Sequence, residues 1–186
     1  MSAQTLDGLP PGLSIRPLTP ADPLRIAAAF EALGWANKSV ALYKGYLAEQ
    51  TSGQRPAFVA EIQGVFAGYV TLNWRPTYAP FQEHGIPEIQ DLNVLPAFRR
   101  RGIGAALIHA AERTAAERSA VIGIGVGLYP DYGSAQRLYV RLGYIPDGRG
   151  VAYDHRTVAP GEHVRVDDSL VLYFTKPLTS PASDAG

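Results

Sequence analysis

The residues with the clearest chemical potential lie in the segment FRRRGIGAAL, where three consecutive arginines lead into Gly-x-Gly and then into a helical pattern. The start of an α-helix presents unpaired backbone N–H groups and a partial positive charge. Glycines there let a ligand approach the main chain, which suits a phosphate or pyrophosphate. Arg99, Arg100 and Arg101 add full charges beside it. The pattern predicts an anion site, although a capped helix with a solvated basic collar is the simpler alternative.

Two other ligands for this turn are disfavoured. A dinucleotide fingerprint needs a third glycine and a turn directly after the strand. Position 107 is Leu instead, and residues 96–101 separate the strand from Gly102, which argues against NAD or FAD. Nucleic-acid-binding proteins usually carry a basic excess. Here acidic and basic residues balance at 17 each, so no nucleic-acid partner is expected.

Several kinds of chemistry are missing from the composition. The chain has no cysteine, which removes disulfides, thiolate metal sites and a cysteine nucleophile. Its four histidines are scattered, and no metal site is expected. No apolar run approaches about 18 residues, so no membrane partner is expected. The N-terminus lacks a signal-peptide pattern, and the expected location is cytoplasmic.

The elements that must position the anion site alternate between strands and helices. This order predicts an α/β (α+β) protein with a central mixed sheet and helices on its faces. We expect one domain over residues 13–178, a flexible arm at 1–12 and a disordered tail at 179–186. Predicted helices cover 27–33, 39–50, 103–118 and 133–142. Predicted strands cover 13–19, 57–62, 65–74, 88–95, 121–128, 151–158 and 169–176, with a loop at 75–87.

Two motifs in the second half of the chain resemble the GCN5-related N-acetyltransferase (GNAT) superfamily. Arg99-x-x-Gly102-x-Gly104 matches the first motif of that family. A later helix matches the second motif at Ala135, Leu138, Tyr139, Gly143 and Tyr144. The resemblance is close over residues 88–144 and implies a GNAT-like fold, in which two parallel strands of the sheet splay apart. The N-terminal half fits only by the order of its elements.

The resemblance implies that the anion is the pyrophosphate of acetyl-CoA. The family would bind it on the backbone amides from Arg100 to Ala105, which include Arg101, Gly102, Ile103 and Gly104, with Arg99 beside them. The pantetheine arm would pair like an added strand with Leu92, Asn93 and Val94. The second motif would add Ser134 and Tyr132. The family often has Asn at position 132, so Tyr132 either replaces that contact or simply packs.

The resemblance also implies direct transfer of the acetyl group in a ternary complex. Tyr139 occupies the position from which the family often protonates the leaving thiolate. Its unperturbed pKa of about 10 keeps the phenol protonated at neutral pH. Glu88 or Asp91 is the candidate base. Simple alternation puts Glu88 on the face of Leu92 and Val94 and Asp91 on the other, but a bulge reverses that parity. Glu88 is preferred, and a backbone N–H near Val94 would stabilise the oxyanion.

The sequence gives little information about the binding site of the acceptor amine. By analogy, Trp35, Trp74, Tyr78, Phe81 and His84 would border it. The expected function is an N-acetyltransferase, an enzyme of the acyltransferase class. It would act on a primary amine of a small molecule or an exposed protein amine, as a monomer or homodimer. The alternative is a non-catalytic domain that binds acetyl-CoA as a sensor or interaction module.

One strand carries glycine at every second position. Gly123, Gly125 and Gly127 leave one face of the segment VIGIGVGL without side chains. Glycine inside a strand often marks the close approach of another group. Either a tightly packed helix covers this face, or the face leaves room for the pantetheine arm or the acceptor.

Overall fold

The computed structural model describes residues 9–35 and 37–179. Residues 1–8 of the expected arm and 180–186 of the expected tail lie outside the described residues. The helices in the described part are α1 (Asp22–Glu31), α2 (Val40–Thr51), α3 (Ala79–Glu83), α4 (Ile103–Ala115) and α5 (Gly133–Arg141). The strands are β1 (Leu13–Pro17), β2 (Ala57–Ile62), β3 (Val65–Asn73), β4 (Glu88–Val94), β5 (Val121–Gly127), β6 (Ile145–Tyr153), β7 (Arg156–Thr157) and β8 (Leu170–Pro177).

The strands form one mixed sheet in the order β1-β2-β3-β4-β5-β8-β6-β7. The mixed sheet with its helices confirms the predicted α/β class. Strand β5 runs parallel to β4 and antiparallel to β8. The parallel register covers only Glu88 with Gly123 and Ile89 with Ile124, although both strands continue beyond these pairs. Strands β4 and β5 are therefore paired at only two positions, which agrees with the expected splay of two parallel strands.

The prediction of a loop throughout residues 75–87 was wrong. The region contains α3, with Pro80 in its first turn and Phe81 almost fully buried. Proline is tolerated there because the first N–H groups of a helix have no intrahelical partner. A helix of five residues is too short to show the apolar periodicity from which helices are predicted.

The start of β6 was also misplaced. A strand was predicted over residues 151–158, but β6 begins at Ile145. In the sequence, Asp-Gly-Arg-Gly resembles a turn because aspartate and glycine favour turns. Gly148 and Gly150 do have left-handed φ values of 81° and 78°. In the structure the segment is an irregularity within the strand, where the register against β8 shifts between Pro146 and Val151.

The described chain forms two compact units, each with its own core. The first unit contains the residues up to Thr71 together with Asp91–Ala111, and the second contains Leu72–Gln90 and the residues from Glu112 onward. The first core is rich in aromatic rings and includes Phe30, Tyr43, Phe66 and Tyr69. The second includes Tyr78, Phe81, Ala152 and Tyr173. The expectation of a single domain over 13–178 stays a prediction.

A buried charge network joins β1, α1 and β2 within the first unit. Asp22 is 1% exposed and receives hydrogen bonds from Arg16 at 2.7 Å and Arg25 at 2.7 Å. Arg16 also donates to Glu61 at 2.8 Å. Burial by itself would raise the pKa of Asp22, but the hydrogen bonds from Arg16, Thr19 and Arg25 together outweigh burial and lower that pKa. The ionised carboxylate therefore stabilises the fold.

We predict that Asp22→Asn lowers the free energy of unfolding by about 2 kcal/mol at neutral pH, because two partly exposed arginines lose a buried partner. The folded-state pKa is depressed, so this stabilisation is present above the ordinary Asp pKa of about 4 and is lost as pH falls below it. Urea unfolding at neutral and acidic pH should show the gap between variant and wild type closing on acidification. Glu31→Gln, exposed on the same helix, should change stability by less than about 0.5 kcal/mol. A constant gap would contradict the assignment.

Candidate functional site

The turn before α4 has an unusual backbone conformation. Arg100 and Gly102 have φ values of 60° and 79°, in the left-handed region. For a residue other than glycine, that conformation costs on the order of 1 kcal/mol or more, and such strain clusters at functional sites. Arg99, Arg100, Arg101 and Gly102 are exposed, while Ile103 is buried and anchors the helix. Three exposed arginines and an exposed glycine thus lie at the start of a helix of 13 residues.

The segment leading into this turn is fixed by its neighbours in the first unit. The backbone N–H of Leu95 donates to the carbonyl of Ala67 at 2.9 Å, and the Arg99 side chain donates to the carbonyl of Val94 at 3.0 Å. A Cβ atom at Gly68 would lie 2.4 Å from the Asn93 carbonyl oxygen. Only glycine therefore allows β3 to pack this closely against the end of β4. Sequence analysis did not identify Gly68, because an isolated glycine in a strand gives no sign of what approaches it.

Asp91 interrupts the regular path of β4. Its φ is 53°, so strict alternation does not continue through this residue, as the bulge alternative proposed. Its carboxylate contacts the Lys38 ammonium and accepts hydrogen bonds from the Tyr46 hydroxyl at 2.9 Å and the Asn93 amide at 2.9 Å. The Tyr69 hydroxyl donates to it as well. These four donors match the roughly four lone-pair positions of a carboxylate.

The second carboxylate candidate, Glu88, lies in the second unit and is 5% exposed. It accepts a hydrogen bond from the Gln90 amide at 2.8 Å. Gln90 in turn accepts one from the Asn73 amide at 3.3 Å. These polar residues at the start of β4 and the end of β3 orient Glu88. Neither Gln90 nor Asn73 was singled out in the sequence, because the chain of bonds joins residues on different strands.

Tyr139 combines burial with an uncommitted hydroxyl. The residue is 5% exposed, and its ring lies 6.2 Å from that of Tyr144. Burial raises the pKa of Tyr139, so the phenol stays protonated at neutral pH. No hydrogen bond to its hydroxyl occurs among residues 9–35 and 37–179. A protonated phenol with a free O–H can donate a proton or a hydrogen bond to a ligand.

Most other tyrosine hydroxyls donate to carboxylates, which makes Tyr139 distinctive. Tyr144 donates to Glu112 at 2.9 Å, and Tyr78 donates to Asp147 at 2.8 Å. Burial, together with the adjacent carboxylate, raises the pKa of both residues. Because their O–H groups are already committed, these tyrosines stabilise the fold and are unsuited to proton transfer.

Tyr132 packs on β5. Its ring covers Gly127, where a Cβ atom would lie 2.5 Å from two ring carbons. Its hydroxyl donates to Asp168 at 2.9 Å. Ser134 is exposed at the start of α5.

Aromatic rings occupy much of the glycine face of β5. A Cβ atom at Gly123 would lie 2.2 Å from the Phe81 ring, and one at Gly125 would lie 2.9 Å from Val171 and 3.0 Å from Tyr173. Together with Tyr132 on Gly127, these side chains fill the space above all three glycines. The structure supports the packing explanation for this strand, and the elements that pack are α3, β8 and the turn before α5 rather than one long helix.

The five residues expected to border the acceptor are divided between the two units, with Trp35 in the first and the other four in the second. Tyr78 and Phe81 are each 1% exposed, and Tyr78 stacks on Tyr173 with ring centroids 3.7 Å apart. Both rings belong to the core of the second unit. Trp35 stacks on Phe30 at 5.3 Å in the core of the first unit.

The remaining two expected acceptor residues are more accessible than Tyr78 and Phe81. Trp74 lies beneath the Arg118 guanidinium, 4.7 Å from the ring centroid, and its indole N–H is buried without a hydrogen-bond partner in the described part. His84 is exposed, with Nδ1 2.8 Å from the Pro80 carbonyl oxygen.

Two other kinds of site were searched for in the described ranges. No cluster of three or more His, Cys, Asp or Glu side chains that could hold a metal ion occurs there. None of the helices in those ranges is long and apolar enough to cross a membrane.

Comparison with known proteins gives a consistent result. A family model described as "Acetyltransferase (GNAT) family" matches residues 25–144, which is more than half of the chain. A comparison with curated protein sequences found no match.

Solved structures with a similar fold are GNAT-type proteins. An N-acetyltransferase from Staphylococcus aureus Mu50 has a TM-score of 0.67 at 16% identity, covering 90% of this chain and 99% of that one. A Salmonella typhimurium protein described as an acetyltransferase, solved with its cofactor acetyl-CoA, has a TM-score of 0.64 at 22% identity, covering 94% and 99%. A ribosomal-protein-alanine N-acetyltransferase from Brucella melitensis has a TM-score of 0.64 at 22% identity, covering 89% and 99%. At these identities the likeness concerns the fold.

We predict that Gly123→Ala destabilises the protein by about 1–3 kcal/mol, because the added methyl group overlaps the Phe81 ring. Gly45→Ala is the matched control, since Gly45 lies in α2 with no atom within 4 Å of the added carbon. That change should be neutral or stabilise by about 0.5–1 kcal/mol. Chemical denaturation measures both, and pairing Gly123→Ala with Phe81→Leu should restore part of the loss. Equal effects of the two alanine substitutions would refute the packing explanation.

Proposed function

The chain belongs to the acetyltransferase (GNAT) family and is thereby an acyltransferase, and we propose that it transfers an acetyl group from acetyl-CoA to a primary amine. The observation that carries this proposal is the exposed, left-handed turn at Arg100 and Gly102, directly before α4 and within the family match. One of the similar structures holds acetyl-CoA. The name of another describes acetylation of a protein alanine, whose α-amine is a primary amine.

The residues of the turn fit the polyanionic end of acetyl-CoA. The amides from Arg100 to Ala105 and the guanidinium groups of Arg99, Arg100 and Arg101 would bind its pyrophosphate. The main chain at Leu92, Asn93 and Val94 would pair with the pantetheine arm, as in strand addition. Close packing on Gly68 fixes this segment, which supports its use as a rigid binding edge.

We assign proton donation to the leaving thiolate to Tyr139. Its free hydroxyl supports this role, its raised pKa keeps it protonated at neutral pH, and its position in the second sequence motif agrees with the role. The thioester of acetyl-CoA would supply the acetyl group when the cofactor is bound. The chain contributes a proton at the Tyr139 oxygen and a backbone N–H near Val94 for the oxyanion, a contact of about 3 kcal/mol in comparable enzymes.

We assign the role of base for the incoming amine to Glu88. The carboxylate of Asp91 already accepts hydrogen bonds from Asn93 and two tyrosines and pairs with Lys38. An external amine could give it a proton only after one of these donors leaves. Glu88 lies at the start of the same strand, oriented by Gln90.

We predict that acetyl-CoA raises the melting temperature of the protein, whereas NAD does not. At about 100 times its dissociation constant, a ligand of the native state adds about 2.7 kcal/mol. Differential scanning fluorimetry tests this, and replacing Arg99, Arg100 and Arg101 together with Gln should reduce the shift. An equal shift with NAD would contradict a site specific for acetyl-CoA.

We predict that Tyr139→Phe keeps the acetyl-CoA stabilisation but lowers kcat about 100-fold, since a general acid typically contributes that much or more. Thiol release with a panel of primary amines measures the rate. Turnover by the wild type would exclude the sensor alternative, and its absence for every amine would favour that alternative. Normal turnover by Tyr139→Phe would show that solvent or another group protonates the thiolate. Tyr153→Phe, a half-buried tyrosine bonded to Asp167, is the control.

A further inference from the structure

Lys38 differs from the other two lysines in the sequence, Lys44 and Lys176. Its side chain is 13% exposed, and its ammonium contacts the carboxylate of Asp91. It also donates to the Tyr69 hydroxyl at 3.0 Å. Lys44 is exposed on α2, and Lys176 donates to Glu112 at 2.8 Å. Lys38 is thus the one lysine in the described part whose amine is held against β4.

The position of this amine relates it to the proposed cofactor site. Asp91 immediately precedes Leu92, Asn93 and Val94, the main-chain segment assigned above to the pantetheine arm. Asn93 also donates to the same Asp91 oxygen that Lys38 contacts. The Lys38 amine therefore contacts the residue that precedes that segment, within the same compact unit.

We propose that the protein acetylates its own Lys38. The inference rests on the proposed acetyl-CoA function. The Lys38 nitrogen gives one proton to the Asp91 carboxylate, and its lone pair then forms a bond to the acetyl carbonyl carbon. The carbon–sulfur bond breaks and its electron pair stays on sulfur. The nitrogen then loses its second proton, which protonates the thiolate, and one N–H stays on the new amide. Asp91 passes its proton to solvent after the amide has formed, so charge and atoms balance.

The surroundings of Asp91 explain why it serves this internal amine. The donors on its oxygens are Lys38, Asn93, Tyr46 and Tyr69, and of these only Lys38 has an amine, which becomes nucleophilic when it loses its proton. Burial, with the nearby Asp91 charge, raises the pKa of Tyr69 and Tyr46, so both phenols remain protonated donors. Proton transfer from Lys38 thus uses a contact that already exists.

The product also fits its surroundings. An acetylated lysine keeps one N–H for Asp91, and the three neutral donors on that carboxylate remain. The Tyr43 hydroxyl is buried beside Tyr69, and a new carbonyl group in this cluster would offer it an acceptor.

Intact-mass measurement and peptide mapping after incubation with acetyl-CoA test the proposal. We expect one acetyl group on Lys38, formed at least about tenfold faster than on Lys44, because a held amine reacts faster than a free one. The rate constant should be the same at all protein concentrations, as for an intramolecular step. Lys38→Arg should abolish the modification, and Asp91→Asn should slow it at least about tenfold, an effect typical of losing a general base. Lys44→Arg is the control and should leave it unchanged.

Each contrary result has a definite meaning. Faster acetylation of Lys44 than of Lys38, a rate that rises with protein concentration, or an undiminished rate in a folded Asp91→Asn variant would overturn the inference. Turnover of external amines with an unmodified Lys38 would overturn it while leaving the proposed function intact. If neither an amine nor Lys38 is acetylated although thermal denaturation shows a folded protein, the proposed function fails as well.

Discussion

The absence of a side chain at Gly68 is the constraint on which the candidate site depends. A single added carbon there would overlap the Asn93 carbonyl and push the end of β4 away from β3. The same stretch of β4 carries Asp91, whose left-handed backbone directs its carboxylate to the cluster of Lys38, Tyr46 and Tyr69. The arginine-rich turn follows β4 in the sequence, after residues 95–98. A close contact between two strands therefore fixes both the main chain proposed to bind the cofactor and the carboxylate beside it.

Local sequence was enough to predict the features whose cause is local. The anion turn depends on glycines and arginines that follow one another in the chain, and the helix after it has a clear apolar period. Arg100 and Gly102 have left-handed φ values in this turn, and its role as an anion site stays a prediction. The mixed sheet likewise follows from the order of the elements.

Contacts between distant residues could not be predicted in this way. Lys38 and Asp91 are 53 positions apart, and nothing around Lys38 in the sequence indicates a carboxylate partner. The glycines of β5 suggested a close approach, but Phe81, Val171, Tyr173 and Tyr132 reach them from three other segments. For the same reason, the sequence could not show whether Glu88 or Asp91 shares a face of β4 with Leu92 and Val94. Asp91 has a left-handed φ, and its side chain contacts Lys38, Tyr46 and Tyr69, which lie far from it in the sequence.

The basic residues at the turn are all arginine, and this choice has a chemical consequence. A thioester reacts with neutral amines, and lysine side chains become neutral in a small fraction of molecules at any moment. The guanidinium group stays protonated at all ordinary pH values and offers no comparable lone pair. Arg99, Arg100 and Arg101 could therefore bind a reactive acyl donor through many turnovers without being capped by it. A lysine collar of equal charge would be gradually neutralised by its own ligand, so the arginines protect the site from inactivation by the compound it is proposed to bind.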